Sequence, residues 1–232
     1  MKKSTMKKSP RSPFGASIAA LLILSMLCVA SCALQAADTA TITYRRVFKG
    51  SSPEFIEIKL SDSGTASSDI RQLSEDADPE PFQISAGVRE KVFALAATLH
   101  DFQGADLDVH RRIADLGEKT FRYEKGATVY ETHFNYTINH DATQLVSIFE
   151  GLAQQQQDAA MLEQKLKYDR LGVNDALRQF DNDLSQRILP EPERLLPVLD
   201  RIAADTRLVD VARVRARALA ERIRTSQPAP AQ

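Results

Sequence analysis

Hydrophobic and polar positions alternate along the first folded stretch of the chain and then change period. The run from Phe55 to Leu60 places Ile56, Ile58 and Leu60 on one side and Glu57 and Lys59 on the other. A period of two is the signature of a strand with one buried face. The preceding run, Ile42 to Phe48, is rich in β-branched and aromatic residues and is punctuated by Gly50-Ser51-Ser52-Pro53, which predicts a first strand. The turn Ser61-Asp62-Ser63-Gly64 leads into a weaker third run, Thr65 to Leu73, whereas residues 74–81, acidic and broken by proline, read as a solvated loop. Ser85 is placed to cap a helix over 85–101 in which Val88, Val92, Leu95, Ala96 and Leu99 form an apolar stripe. Residues 103–116 read as a polar connection with one short helix. Thr120 to Glu124 and Thr128 to Thr137 flank Lys125-Gly126 and predict a hairpin with Tyr130, Phe134 and Tyr136 in one row.

From Asn139 the period becomes helical. Asp141 followed by Gln144 resembles a capping box, and Leu145, Ile148, Phe149 and Leu152 continue on one face through the Gln154–Gln157 tract to about Tyr168, with Gly172 as the stop. A further helix carries Val173, Leu177, Phe180, Leu184 and Ile188 up to Pro190. Two more carry Leu195 to Ile202 and Val209 to Ile223. Strands first and helices afterwards predict an α+β fold: an antiparallel sheet of four to five strands with one packed helix, then a C-terminal region of about four helices. The expected divisions are an export signal at 1–31, a tether at 32–40, a sheet domain at 41–138, a helical region at 139–225 and a tail at 226–232.

Composition changes this picture mainly through its unevenness. The 232 residues carry 30 basic and 31 acidic side chains, which describes an ordinary globular chain. Five of those basic residues, Lys2, Lys3, Lys7, Lys8 and Arg11, fall before an apolar run from Phe14 to Ala30 that holds no acidic residue. A basic stretch followed by an apolar one is an export signal. Its removal leaves 25 basic against 31 acidic side chains, a net charge of −6. That acidity argues against a nucleic-acid partner, which needs a basic footprint. Cys28 and Cys32 lie in or at the edge of the signal, so the roughly 195 residues that follow are free of thiols and rely on an apolar core.

Val29-Ala30-Ser31-Cys32 resembles the lipobox of bacterial lipoproteins. The resemblance implies that Cys32 is lipidated and anchors the mature chain to a membrane. Ala33 follows it in place of the Asp that the family pattern uses for inner-membrane retention, so for a Gram-negative source the resemblance implies the outer membrane and a chain facing the periplasm or envelope. Cleavage after Leu34-Gln35-Ala36 would instead leave a soluble secreted chain, and an uncleaved span is a third reading. Tyr44 to Glu54, with Phe134-Asn135-Tyr136-Thr137, resembles a group of exported proteins of environmental bacteria of acidobacterial type. No activity comes with that resemblance.

Phosphate-cradling, dinucleotide-binding, zinc-protease and serine-hydrolase motifs do not occur. Four histidines remain. His100 with Asp106, Asp108 and His110 offers nitrogen and oxygen ligands within a short span, yet at no recognised metal spacing. The ordinary reading is a helix-end histidine beside solvated carboxylates. Glu131 and His133 share a strand face and would suit acid–base work, or simply form a solvent-facing row, with Asp141 as a helix cap. Residues 54–81 carry eight acidic and two basic side chains, whereas 207–224 carry six arginines, among them Arg213, Arg217 and Arg224. Those arginines are candidates for binding an acidic partner or lipid headgroups, against the alternative that their stems cover the edge of a core. Two functions follow: a non-catalytic, cofactor-free envelope module that binds a partner protein through its sheet face or C-terminal helices, or an envelope hydrolase or metal-dependent enzyme using His100, His110 and His133.

Overall fold

A computed structural model describes residues 39–226, so the expected export signal, Cys32 and most of the expected tether lie outside the described residues, as does the expected tail beyond Ser226. The fold is α+β. Six strands, β1 (Thr41–Val47), β2 (Phe55–Ser61), β3 (Thr65–Arg71), β4 (Glu80–Gln83), β5 (Glu118–Lys125) and β6 (Thr128–Phe134), form one antiparallel sheet in the order β4-β3-β2-β1-β5-β6. The first four follow one another as hairpins. The last hairpin then returns to pair β5 with β1, Tyr44 opposite Phe121.

One strand was not foreseen. Glu80–Gln83 lies within and beyond the segment read as a proline-broken loop, and it pairs with β3 through Ala66–Phe82 and Ser67–Pro81. As the outermost strand it needs only one row of hydrogen bonds, so Pro81 is tolerated there. The sheet therefore has six strands rather than four to five.

Helix α1 (Ala86–Thr98) starts at Ser85, whose side chain accepts from the Val88 amide, as its sequence predicts. Helix α2 (His140–Tyr168) is capped by Asn139, whose side chain accepts from Ala142; Asp141 is inside the first turn and is not the cap. Asn139 wins because it holds the extended backbone a cap requires, one residue before the helix begins. Nor does Gly172 stop this helix. It adopts right-handed helical angles and begins α3 (Val173–Ser185), while α2 ends at Asp169. Ile188 falls beyond α3. Two more helices follow, α4 (Leu196–Ala204) and α5 (Asp210–Ser226).

Residues from Ala40 onward make one compact unit with two apolar cores. In the first, the inward row of the sheet (Ile42, Tyr44, Ile56, Ile58, Leu60, Phe121, Phe134) meets α1 and also the first half of α2, so two helices rather than one cover the sheet. Each fully buried aliphatic or aromatic side chain there contributes about 1.5–3 kcal/mol. In the second core, α3, α4 and α5 close around Leu162 from the far half of α2. Helix α2 thus belongs to both. Among the described residues, no helix is long and apolar enough to cross a membrane.

Candidate functional site

After α1 the chain makes a left-handed turn: His100, Asp101 and Phe102 have φ of 54°, 52° and 69°. For residues with a Cβ this conformation costs about 1–2 kcal/mol each. What holds it is Phe102, fully buried and stacked on Phe121 at 5.1 Å. Strain of this kind accumulates where the direction of the chain matters. Here it launches the loop 103–117, longer than most connections in a domain of this size.

The loop is fastened along the end of β6. One carboxylate oxygen of Asp108 accepts the amides of Asn135 (3.0 Å) and Tyr136 (3.3 Å), and the other accepts that of His110 (3.2 Å). Those backbone donors hold the Asp108 carboxyl below the usual range. Asn135 donates to the Ala114 carbonyl (2.9 Å) and accepts from the Leu116 amide (2.8 Å). Lys119 donates to the carbonyls of Leu116, Gly117 and Asn135 at 3.0–3.1 Å. Burial pushes this ammonium down in pKa, opposed by the Glu150 carboxylate and reinforced by Arg46. Gly117 closes the loop with φ +84°, and a Cβ there would sit 2.7 Å from Phe48 Cβ. Only glycine fits that passage.

Between the loop and the edge of the sheet opens a cleft of about 800 Å³ whose wall includes Lys49, Asp108, His110, Ile113, Glu118 and His133. It brings together Asp108, His110 and His133, with Asp106 bound to His110. His100 is not among its lining residues; it is exposed on the left-handed turn. His140 is the first residue of α2 and bonds Gln144 through Nε2 at 2.6 Å. The ring nitrogens in the cleft are engaged by their own neighbours. His110 Nε2 meets both oxygens of Asp106 at 2.8 Å, which raises its pKa. His133 bonds the Thr120 hydroxyl through Nδ1 (2.9 Å) and meets Glu131 through Nε2 (2.9 Å). The pairing of Glu131 with His133 on the solvent face of β6, opposite Tyr130 and Phe134, follows the alternation expected from the sequence. Among the described residues, no group of three or more His, Cys, Asp or Glu side chains is placed to hold a metal ion. On and beside the loop, Ile113, Leu116 and Tyr136 are 40%, 44% and 46% exposed.

The candidate arginines of α5 lie elsewhere. Arg213 pairs with Asp210 (3.5 Å), and Arg224 pairs with Asp200 (2.7 Å) and Glu221 (3.0 Å); Arg217 is exposed. A further cavity of about 880 Å³ separates the start of α1 from α2 and the segment 187–190, with Lys91, Arg187 and Gln154 on its wall.

Two polar groups had escaped the sequence reading. The Tyr44 hydroxyl donates to Glu150, which also takes Arg46 Nη1 at 2.9 Å, joining β1 to α2. Asp158, Gln155 and Asp183 are buried between helices. The signal for the second group was present: Gln155 and Asp158 continue the apolar stripe of α2 towards Leu162, and Asp183 sits three residues after Phe180. A polar residue at a stripe position marks a buried polar contact. Compared with known proteins, the chain matches no family model and no curated protein.

Proposed function

We propose that this protein is an exported, non-catalytic binding module of the cell envelope, anchored by a lipid on Cys32, that holds a partner protein against the loop-framed end of its sheet. The observation that carries the reading is a loop fixed by side-chain hydrogen bonds that nevertheless presents Ile113 and Leu116, with Tyr136 beside them, to solvent. A pinned loop has already lost the entropy that binding would otherwise cost, and large apolar side chains displayed on it are the material of an interface hot spot. The acidic charge of the chain after its signal supports a protein partner over nucleic acid. The lipobox-like string supports the anchor, with soluble secretion as its alternative.

The test is a comparison of variants in envelope extract. Wild type and His110→Ala should retain the same partner, and the double variant Ile113→Asp, Leu116→Asp should lose it while its unfolding free energy stays within about 1 kcal/mol of wild type, as for surface changes. Loss of the partner in His110→Ala but not in the double variant would overturn the reading. Intact-mass measurement of the mature N-terminus tests the anchor: an acylated Cys32 is expected, and a chain starting at Ala37 would refute it.

A metal-dependent or hydrolytic enzyme is the second reading, favoured by one observation: His110 and His133 share a cleft with Asp108, Asp115 and Glu118. Calorimetric titration with zinc separates the two. Stoichiometric binding that disappears in His110→Ala and His133→Ala would establish the enzyme reading at the expense of the module.

A further inference from the structure

The polar group between α2 and α3 has an imbalance of charge. Asp158 and Asp183 are each only 5% exposed. Asp158 Oδ1 accepts from Gln154 Nε2 at 3.0 Å, and the same amide reaches Asp183 Oδ2 at 3.2 Å. Gln179 Nε2 supplies Asp183 with a second donor at 3.2 Å. Asp158 Oδ2 is buried and has no partner. Among the described residues every donor to this pair is a neutral amide, so two ionised carboxylates would face each other away from water with no cation from those residues to compensate.

Charged groups on the surrounding elements are committed elsewhere. On α2, Glu150 takes Arg46 of β1, and Glu163 takes Arg201 of α4. On α3, Asp181 takes Arg222 of α5. After α3, Glu191 holds Arg194 and the Ser85 amide, and Arg187 is exposed. On the sheet, Asp69 holds Arg71. Among the described residues, the one charge that bears on Asp158 is Asp183. Burial first, and then that neighbouring charge, push the Asp158 carboxyl up to about 7 against the pull of the Gln154 amide.

We propose that Asp158 and Asp183 share one proton at neutral pH, forming a proton-held clasp between α2 and α3 that loosens as the surroundings turn alkaline. The proton gives the bare Asp158 Oδ2 a hydrogen to donate to, or accept from, Asp183, and it removes one of two like charges. In the unfolded chain both carboxyls ionise in the ordinary range near pH 4. Between that range and the folded value the native state holds one proton more than the unfolded state. The pair's contribution to stability is therefore greatest in acid and is lost as pH rises through the folded value.

The experiment is urea unfolding of the full chain from pH 5 to pH 8.5, for wild type and Asp158→Asn. One extra bound proton makes the unfolding equilibrium constant rise about tenfold per pH unit between about pH 5 and pH 7. Asp158→Asn carries a permanent donor hydrogen and should lose that component, so the ratio of the two constants reports the pair alone. An identical slope in both proteins overturns the proposal. Carboxyl 13C NMR of the wild type gives a readout that does not depend on the variant folding. One of the two aspartates should titrate near neutrality, and two titrations below pH 5 would overturn the clasp. So would millimolar calcium or magnesium raising the wild-type midpoint but not that of Asp158→Asn, since a cation would then hold the pair.

Discussion

Tyr44 and Glu150 offer a direct measure of how the sheet holds α2. Tyr44 is fully buried, its ring stacked on Phe149 at 5.4 Å, and its hydroxyl donates to Glu150. Burial, with the Glu150 charge adding to it, drives this phenol far above its usual pKa, so it acts as a donor at every working pH. Tyr44→Phe keeps the stack and removes only the hydroxyl, at a cost of about 1.5–3 kcal/mol for a bond to a charged group. Glu150→Ala strands that hydroxyl and also Arg46, whose Nε is already buried without a partner. Breaking a fully buried pair costs about 3–5 kcal/mol. The Arg46 and Glu150 side chains are 20% and 28% exposed, so water recovers part of the loss and about 2–3 kcal/mol is expected here. In the double variant no hydroxyl is stranded. The cycle should give a coupling of about 1–2 kcal/mol, read from urea unfolding at constant m, and Tyr44→Phe alone should lower Tm by about 3–12 °C for a fold of this size. A coupling below about 0.5 kcal/mol would mean that the two groups act independently, and the view that this contact clamps α2 to β1 would be wrong. Because Glu150 also stands near Lys119, which pins the loop, Glu150→Ala should increase amide exchange over 114–117.

Two other predictions address separate parts of the molecule. Gly151 on α2 has the Ile188 carbonyl where a Cβ would be, with Pro190 Cδ at 2.9 Å from that point. Gly151→Ala gains about 1 kcal/mol of helix propensity but forces backbone apart, so a net loss of about 1–2 kcal/mol is expected; an unchanged or raised unfolding midpoint would contradict the close approach. At His110, the hydrogen bond and charge of Asp106 raise the imidazole pKa, so the contribution of that pair is present in acid and disappears as pH rises through the folded value. Ring-proton NMR should show His110 titrating above an ordinary histidine, and Asp106→Asn should return it; a wild-type titration at or below the ordinary value would refute the contact.

Much of the sheet was legible because alternation is a local signal. Ile56, Ile58 and Leu60 announce both strand and face, and the Lys125-Gly126 turn announces the last hairpin. β4 was hidden because its existence depends on an edge being available beside β3, which Glu80-Pro81 cannot reveal locally. The helix starts divided along the same line. At α1 the cap is Ser85, the residue its sequence marks, whereas at α2 it is Asn139 rather than Asp141, because the chain direction out of Thr137 gives Asn139 the extended backbone. In the cleft, His110 and His133 are 23 positions apart in the sequence, and only the course of the loop past Asn135 unites them. That Asn135 would organise the loop is a matter of side-chain geometry, and residue type alone does not carry it.

The polar stretch in the middle of α2 has a reason in the architecture. A 29-residue helix that was apolar throughout would slide or rotate against its neighbours at little cost, because hydrophobic contact is not directional. From Ala142 to Ala153 it meets the sheet and α1, and at Leu162 it meets the helical core. Between those two regions stand Gln154, which donates to Asp158 and to Asp183 of α3, and Gln155, which accepts the Glu191 amide at 3.0 Å. Hydrogen bonds at fixed distances admit one register, whereas apolar surfaces tolerate several. The cost is a buried carboxyl that must keep its proton, so the rotational setting of the helix shared by both cores depends on the acidity around it. Glu150, one turn before Gln154, is tied to β1, and Lys119 beside it fastens the loop of the cleft. Any change in the setting of α2 therefore moves a carboxylate whose charge acts on the lysine that pins the loop.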